Sequence, residues 1–270
     1  MSKHGVLIIS HGSRDQSWVA EVDQTVNQAK LLYYEALAVN ANISIDQLEE
    51  QFPIVSSFLE LVEGRLIQDG INILQNKGVT HIHVLPLFVS AGSTHVEEIK
   101  QAFGFAPAYE QFIGDLEPFI CKCEVSFDLP LIDDKEIVHI IKRQLETLSI
   151  HDNGDVAVLI LGHGSTVEPY YKLWEQGMQQ LIDKLKLHFS TLDLYYASLL
   201  PERSKKTLAQ LLKQYKQVTV IPLFLSAGYF TSHIIPSRLE GLTYIYSGET
   251  LLPSEEMKQL LVRRFQTLFK

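Results

Sequence analysis

Cysteine is scarce in this sequence, which has only Cys121 and Cys123 among its 270 residues. Cysteines separated by a single residue seldom form a disulfide of good geometry, and two thiols are too few for a structural zinc site. We therefore expect both to be reduced packing residues, as is usual in the cytoplasm. The chain also lacks an apolar run near the ~20 residues that span a bilayer, and no signal-peptide pattern follows Met1. These absences predict a cytoplasmic protein.

Positive charge is also in short supply. The sequence has 23 Lys and Arg against 32 Asp and Glu, which gives a net charge of −9. Nucleic acids and anionic membrane surfaces attract basic proteins, so neither is expected as a partner. The hydrophobic fraction of 46% and the charged fraction of 20% are those of a globular protein. A chain of this length is sufficient for two domains of ordinary size.

The motifs of several common enzyme classes are missing. The chain has no Walker-type phosphate loop, so no nucleotide is expected to take part in its chemistry. It also lacks the Gly-x-Ser-x-Gly motif of serine hydrolases. Histidine phosphatases place an arginine directly before the histidine of a strand-end His-Gly pair, because the arginine binds the phosphate. Here the preceding residues are Ser10 and Gly162, which argues against a phosphatase.

Two motifs occur twice in the chain. Each half contains an apolar run that ends in His-Gly-Ser, at His11 and at His163. Each half also contains a later run that ends in Pro-Leu-Phe-x-Ser-Ala-Gly, and the histidines close behind it are His95 and His233. Core packing does not require histidines at the ends of buried strands. The repeated histidines are therefore the first candidates for function.

Apolar runs typical of strands alternate with helical patterns throughout both halves. This alternation, together with strands that are apolar on both faces, favours parallel sheets covered by helices. We predict an α/β fold of two duplicated domains, 1–150 and 151–270, each a mostly parallel sheet flanked by helices, with a cleft between them. The polar stretch 151–154 is the expected boundary, and the polar segment 40–51 resembles an insertion. In such sheets ligands bind beyond the carboxyl ends of the strands, where all four histidines fall.

His11 is followed by small residues in the first half. Gly12 allows the backbone beside the histidine to approach a ligand closely. Ser13 is expected to cap a helix that begins near Arg14. The alternative is an ordinary histidine that satisfies a strand-end carbonyl, and the second copy of the motif disfavours that alternative.

His95 lies at the start of a predicted helix, and Glu98 follows three residues later on the same helix face. An imidazole beside a carboxylate acts as a metal-ligand pair, or as a base with the acid that orients it. Nitrogen and oxygen ligands of this kind suit divalent cobalt, iron or nickel. Glu97 is a rival for the role of Glu98. The structural alternative is an exposed helix start, where both acids interact favourably with the positive end of the helix dipole.

The second half has a weaker set of candidates. His163 repeats the first motif, and His233 lies in a helical segment predicted near 231–240. His233 is two residues further from its glycine than its counterpart in the first half, and no acid follows it at three or four positions. Tyr229 and Phe230 resemble a wall for a flat apolar ligand, with ordinary core packing as the alternative. We therefore expect the working site in the first half.

A family resemblance rests on five segments of the sequence: 10–14, 58–60, 86–92 with the histidine after it, 162–165 and 222–228. Together they resemble the sirohydrochlorin chelatases, which are class II tetrapyrrole chelatases that use no ATP. The resemblance covers nearly the whole chain, at the length of the two-domain form. It implies two chelatase-like domains, and a histidine pair at the base of the cleft that inserts a metal ion.

The resemblance also implies a substrate and a set of roles. A divalent metal, Co²⁺ or Fe²⁺ and in some members Ni²⁺, enters sirohydrochlorin, in cobalamin or siroheme biosynthesis. We expect His11 and His95 to be the metal ligands and proton acceptors, with Glu98 orienting an imidazole or carrying protons away. Related proteins differ in which half keeps the working histidines, so His163 and His233 are secondary candidates.

The expected substrate carries many carboxylates, whereas this chain is acidic, so local cations must compensate. Arg14, next to the first motif, is the best candidate. We expect Ser13, Ser90, Gly92 and Tyr229 to complete the substrate-binding set. The protein is expected to be a monomer or a weak dimer, because a built-in duplication can replace a homodimer.

Two other functions stay open at this point. A non-catalytic carrier of metal or tetrapyrrole on the same fold would bind its ligand without accelerating insertion. A hydrolase of the histidine-phosphatase kind is the less favoured alternative, because the phosphate-binding arginine is absent.

Overall fold

A computed structural model of the chain describes residues 2–41, 43–148, 150 and 155–269. The strands are β1 His4–Ser10, β2 Ile54–Phe58, β3 His81–Pro86, β4 Glu124–Phe127, β5 Val156–Gly164, β6 Asp193–Leu200, β7 Gln217–Pro222 and β8 Ile245–Tyr246. The helices are α1 Gln16–Ala41, α2 Ile45–Gln51, α3 Ile67–Asn76, α4 Thr94–Ala102, α5 Lys135–Thr147, α6 Tyr170–Lys186, α7 Ser204–Leu211, α8 Ile235–Arg238 and α9 Glu255–Leu268. A single π-helical turn, Phe230–Ile234, precedes α8. Within these described ranges, no helix is both long and apolar enough to cross a membrane.

The first sheet has the strand order β2-β1-β3-β4, and all neighbouring strands are parallel. In the central strand, β1, solvent reaches none of the four residues from Val6 to Ile9. A strand of this kind is apolar on both faces because helices cover both faces of the sheet. Parallel pairing brings the carboxyl ends of β1, β2 and β3 to one edge, so the residues that follow these strands lie near one another.

The second sheet repeats this topology with the order β6-β5-β7-β8. Its central strand, β5, is also fully buried from Ala157 to Leu161. The α/β fold class predicted from the sequence, with two duplicated parallel sheets flanked by helices, is confirmed. The repeated motifs of the sequence therefore mark equivalent places in two equivalent sheets.

The chain forms two compact units. The first contains the described residues of 1–88, 94–131 and 257–270, and the second contains those of 89–93 and 132–256. Most of α9 thus belongs to the unit of the first sheet, and α5 belongs to the unit of the second sheet. The domain division at residue 150 stays a prediction, because it was drawn from the sequence repeat. The expected boundary stretch, 151–154, lies outside the described residues.

Long-range hydrogen bonds hold α9 in the first unit and α5 in the second unit. Arg264 on α9 is buried in the first unit, where it donates to the carbonyl oxygens of Leu129 and Pro130 at 2.5 and 3.1 Å. Gln144 on α5 donates to the carbonyl oxygen of Thr250 at 3.2 Å in the second unit. A buried guanidinium and a buried amide need such acceptors, since leaving either group unpaired in the interior is costly.

The polar segment 40–51, which resembled an insertion, contains the capped helix α2. The Ser44 hydroxyl accepts a hydrogen bond from the Gln47 N–H at 3.3 Å, and the Gln47 side chain accepts one from the Ser44 N–H at 3.1 Å. This reciprocal pair satisfies two N–H groups at the helix start. Leu48 is buried beneath the helix. The additional residues of the first half therefore include an amphipathic helix with its own packed face.

Three histidines lie together at the amino end of the first sheet, where their ring centroids are between 4.4 and 5.1 Å apart. His4 begins β1, and its Nδ1 is 2.8 Å from Nε2 of His83 on β3. The Ser126 hydroxyl on β4 is 2.7 Å from His83 Nδ1 and 3.0 Å from His81 Nε2. His81 Nδ1 is in turn 3.4 Å from the Glu124 carboxylate. We refer to these five side chains as the amino-edge cluster.

The amino-edge cluster predicts that the protein loses stability in mild acid. Burial, with the neighbouring His81 and His4, lowers the pKa of His83 from 6.5 to about 4. The unfolded chain gains this proton near pH 6.5, but the folded chain gains it only near pH 4. The free energy of unfolding therefore keeps its full value above pH 6.5 and decreases as the pH falls from 6.5 to 4. We expect a loss of about 1–2 kcal/mol, discounted for solvent screening. Urea denaturation at several pH values should show a flatter profile for His83→Gln than for the wild type, and identical profiles would contradict the prediction.

Candidate functional site

His11 lies just past the carboxyl end of β1, beside the end of β2. Its carbonyl oxygen accepts a hydrogen bond from the Glu60 N–H at 3.1 Å. The next residue, Gly12, has a φ of +96°, and a Cβ built there would lie 2.0 Å from the Glu60 carbonyl oxygen. Glycine alone fits both the left-handed backbone and this close approach. The His-Gly pair is therefore the turn that holds the imidazole at the edge of the sheet.

His95 lies on the first turn of α4, and its ring meets that of His11 edge to face, with centroids 4.9 Å apart and planes at 78°. His95 Nδ1 is 2.9 Å from Glu98 Oε2, and His11 Nδ1 is 3.2 Å from the Gly12 carbonyl oxygen. Carboxylates and carbonyls only accept hydrogen bonds, so in each neutral ring Nδ1 carries the proton and Nε2 has the free lone pair. Metal-binding histidines are typically oriented by an outer oxygen acceptor of this kind.

The surroundings of His11 favour its neutral form. Burial lowers the pKa of His11 below its ordinary value, and the neighbouring His95 acts in the same direction. The Gly12 carbonyl and the carboxylates of Glu60 and Glu98 oppose this shift without overcoming it. Neutral imidazole is the form that binds a metal ion or accepts a proton, so His11 is ready for either role at neutral pH.

Glu60 is a carboxylate near this pair that the sequence-based site did not include. It follows β2 by two residues, and its Oε1 is 3.7 Å from His11 Nδ1. The side chains meet because β1 and β2 are parallel neighbours. Glu60 belongs to segment 58–60, which contributes to the family resemblance, and this was the sign in the sequence that it could be functional. Its proximity to the imidazole depends on the strand pairing, which the sequence does not give.

Glu97 and Glu98 have different partners, although they are adjacent on α4. Glu97 is buried, and its Oε1 accepts hydrogen bonds from the Ala108 N–H at 2.8 Å and from Gln101 Nε2 at 3.3 Å. It therefore holds the loop that follows α4. Glu98 bonds the imidazole and packs against Gly114, where an added Cβ would lie 2.8 Å from Glu98 Cγ. Of the two acids, Glu98 is the one that contacts the histidine pair.

The residues after the first His-Gly pair differ from the expected helix start. Helix α1 begins two residues later than expected and is capped by Asp15, whose Oδ1 accepts from the Ser17 N–H and hydroxyl at 2.9 and 2.7 Å. Ser13 Oγ accepts from the Asp15 N–H at 3.0 Å, so it stabilises the turn and is not the cap. Arg14 is exposed and forms no ion pair with any other described residue.

Ser90 and Gly92 form a turn in the second unit. The buried Ser90 Oγ accepts a hydrogen bond from the Gly92 N–H at 3.0 Å. A Cβ at Gly92 would lie 2.4 Å from the Tyr170 carbonyl oxygen and 2.5 Å from Trp174 Cδ1 on α6. Gly92 therefore packs against α6, and Ser90 stabilises the turn that contains it. Their contact with a substrate stays a prediction.

The second half keeps its strand-end histidine but changes its neighbours. His163 Nδ1 is 3.0 Å from the carbonyl oxygen of the next residue, as in the first half. The ring that meets His163 is Phe230, with centroids 5.0 Å apart and planes at 73°. Leu200 ends β6 at the place where the first half has Glu60. A phenylalanine and a leucine thus occupy the positions of His95 and Glu60.

His233 lies on the π-helical turn and not at the position equivalent to His95. Its ring stacks on Tyr229, with centroids 5.4 Å apart and planes at 21°. Tyr229 is 67% exposed and Phe230 is 40% exposed, so these aromatic side chains are not buried core. The helical segment expected near 231–240 is divided between the π-helical turn and the short α8.

The first half therefore holds the chemically richer site. It consists of the His11–His95 pair with two flanking carboxylates, Glu60 and Glu98. In the part of the chain that the structure describes, no three His, Cys, Asp or Glu side chains surround one position for a metal ion.

A family model described as CbiX matches residues 5–148 of this chain and, a second time, residues 157–268. The chain belongs to the CbiX family. The two matches correspond to the two copies of the motif pair, so the duplication in this CbiX-family chain is a duplication of the family unit. The resemblance drawn from the sequence motifs is confirmed at the level of the family.

Relatives of this CbiX-family chain include the sirohydrochlorin ferrochelatase of Priestia megaterium, which is 26% identical over 242 residues that cover 88% of this chain and 79% of the relative. The fold is similar to that of SirB from Bacillus subtilis with Fe3+, with a TM-score of 0.69, 19% identity, and coverage of 98% of this chain and 95% of that chain. The SirB of Bacillus subtilis subspecies spizizenii in complex with cobalt gives a TM-score of 0.64 at 18% identity, with the same coverage. At these identities the solved structures establish a shared fold.

Proposed function

We propose that this chain inserts a divalent metal ion, Fe²⁺ or Co²⁺, into sirohydrochlorin at the His11–His95 pair, without a nucleotide. The observation that carries the proposal is the pair itself, in which both Nε2 lone pairs are free and both Nδ1 groups are held by oxygen atoms. The relative named sirohydrochlorin ferrochelatase and the fold shared with SirB support it.

Metal insertion exchanges one M²⁺ ion for the two protons on the pyrrolic nitrogens of the macrocycle. No electron is transferred, so the reaction needs a group that holds the incoming metal and a group that accepts protons. A neutral imidazole serves as either. Burial keeps His11 neutral, and His95 presents a second lone pair beside it. The metal ion is a substrate here, and the pair holds it only until the ring nitrogens replace the imidazoles as ligands.

The two flanking carboxylates have complementary roles in this scheme. A proton accepted at His95 Nε2 makes an imidazolium, which the Glu98 carboxylate stabilises through its bond to Nδ1 at 2.9 Å. Glu60 Oε1 lies 3.7 Å from His11 Nδ1 and its side chain is 54% exposed, so it offers an acceptor from which protons pass to water. Removal of the two protons is thus coupled to a path out of the site.

Sirohydrochlorin is polyanionic, so the substrate must meet cations on this acidic chain. Arg14 follows His11 by three residues and is exposed without an ion-pair partner among the described residues. We assign it to a peripheral carboxylate of the substrate. The exposed Tyr229 ring is suited to contact with a flat macrocycle.

The function is tested by insertion assays with purified protein under anaerobic conditions. Sirohydrochlorin is mixed with Co²⁺, Fe²⁺ or Ni²⁺, and the metallated product is followed by visible absorbance. We expect insertion of cobalt or iron faster than the spontaneous rate, with no effect of added ATP. A site of nitrogen and oxygen ligands accepts several divalent ions, so the assay also ranks the metals. Tight binding of metal or tetrapyrrole without acceleration would show a carrier instead.

A further inference from the structure

The amino-edge cluster lies at the opposite end of β1 from the proposed insertion site. His4 and His11 are seven residues apart, which is about 23 Å along an extended strand. The cluster combines three imidazoles and a hydroxyl in one hydrogen-bonded group, with the Glu124 carboxylate 3.4 Å from His81 Nδ1. None of these side chains takes part in the proposed insertion chemistry.

We propose that the amino-edge cluster is a second site for a divalent first-row metal ion, bound by His4 Nδ1 and His83 Nε2. Imidazole nitrogens are favoured ligands of cobalt, nickel, copper and zinc ions. These two nitrogens are aimed at one another and lie 2.8 Å apart, with a shared proton between them. The ion takes the place of that proton, and water completes its coordination.

The rearrangement required for this exchange is confined to the two rings. Two nitrogens on a tetrahedral ion with metal–nitrogen bonds of about 2.0 Å lie about 3.3 Å apart, so the rings separate by about 0.5 Å and each turns by about 35° to aim its lone pair at the ion. His4 moves its proton from Nδ1 to Nε2, which keeps both rings neutral and releases no net proton. Before the exchange the nitrogens face one another, which agrees with the lack of a preformed three-ligand cage among the described residues.

A chain of outer hydrogen bonds already supports the His83 ligand. The Ser126 hydroxyl lies 2.7 Å from His83 Nδ1 and 3.0 Å from His81 Nε2, so it links the two rings by hydrogen bonds. The exposed Glu124 carboxylate lies 3.4 Å from His81 Nδ1, at the outer end of this chain. When the hydroxyl donates to His81 Nε2, it accepts from His83 Nδ1, and His83 Nε2 is then unprotonated, as ligation requires. Outer bonds of this kind orient histidine ligands and raise their affinity for the ion.

The test uses Co²⁺ alone and untagged protein that carries His11→Ala and His95→Ala, so that the proposed insertion site cannot bind the ion. Calorimetry and the visible bands of bound cobalt should show one Co²⁺ per chain in this background. His4→Gln or His83→Gln should weaken binding at least about 10-fold, and Ser126→Ala, which keeps both ligands, about 10-fold. His139→Gln, an exposed histidine on α5, is the matched control and should change nothing.

Two results would overturn the second site. One is the absence of stoichiometric Co²⁺ binding in the His11→Ala/His95→Ala protein. The other is binding that survives the combined His4→Gln and His83→Gln changes. Circular dichroism verifies that each variant is folded, and Ser126→Ala keeps the test decisive if an imidazole substitution unfolds the sheet. The readout is binding and not insertion, so failure of the proposed function would leave this result unaffected.

Discussion

Replacing His11 by alanine is expected to slow metal insertion by about 100-fold or more, the usual loss when a positioned proton acceptor is removed. The imidazole is neutral because of burial, and its ring lies 4.9 Å from that of His95. His163→Ala is the matched control. His163 has the same backbone turn and the same carbonyl partner, but its ring meets Phe230. We expect this control to retain most of the activity.

Initial rates of Co²⁺ insertion, followed by visible absorbance under anaerobic conditions, measure both effects. His95→Phe is an informative companion, because it gives the first half the same ring pair that the second half has. It should lose insertion while thermal unfolding shows that the fold is kept. An inactive His163→Ala beside an active His11→Ala would move the working site to the second half.

The placement of the strand-end histidines follows from patterns that are local in sequence. His11 and His163 each end a continuous apolar run, and runs of that kind form the central strands of parallel sheets. The carboxyl ends of such strands meet at one edge, so the edge was predictable before any coordinates. Similarly, helical spacing alone placed Glu98 on the same face as His95.

The equivalence of His95 and Phe230 could not be found from the motifs. His233 is the nearest histidine after the second Ser-Ala-Gly turn, but it lies two residues further from its glycine than His95 does. The chain instead forms a π-helical turn that begins at Phe230, two residues after its glycine, whereas His95 comes three residues after its glycine. The contact of Phe230 with His163 therefore depends on the local backbone conformation, which hydrophobic periodicity does not predict.

Other features depend on contacts between distant segments. Glu60 comes near His11 only because β2 pairs with β1 in one particular register. The exchange of α5 and α9 between the compact units depends on pairs such as Arg264 with the Leu129 carbonyl, which are 135 residues apart. Local propensity carries no information about which distant partner a helix will pack against, so these features required the folded structure.

Gly12→Ala is expected to destabilise the protein by at least about 3 kcal/mol. The substitution combines two costs. A non-glycine residue at a φ of +96° is strained, and the new Cβ would lie 2.0 Å from the Glu60 carbonyl oxygen. That oxygen is part of the backbone beside β2 and cannot rotate away, so the ends of both strands must move.

Gly78→Ala separates the two costs, because Gly78 has a φ of +76° but no atom within 4 Å of the added Cβ. Backbone strain alone should destabilise this control by about 1 kcal/mol. Urea denaturation of both variants measures the difference, which reports the close approach of residue 12 to the end of β2. The same displacement moves His11 and Glu60 apart, so insertion by the folded fraction of Gly12→Ala should also fall. Equal losses of stability in the two variants would mean that the two strand ends are not in close contact.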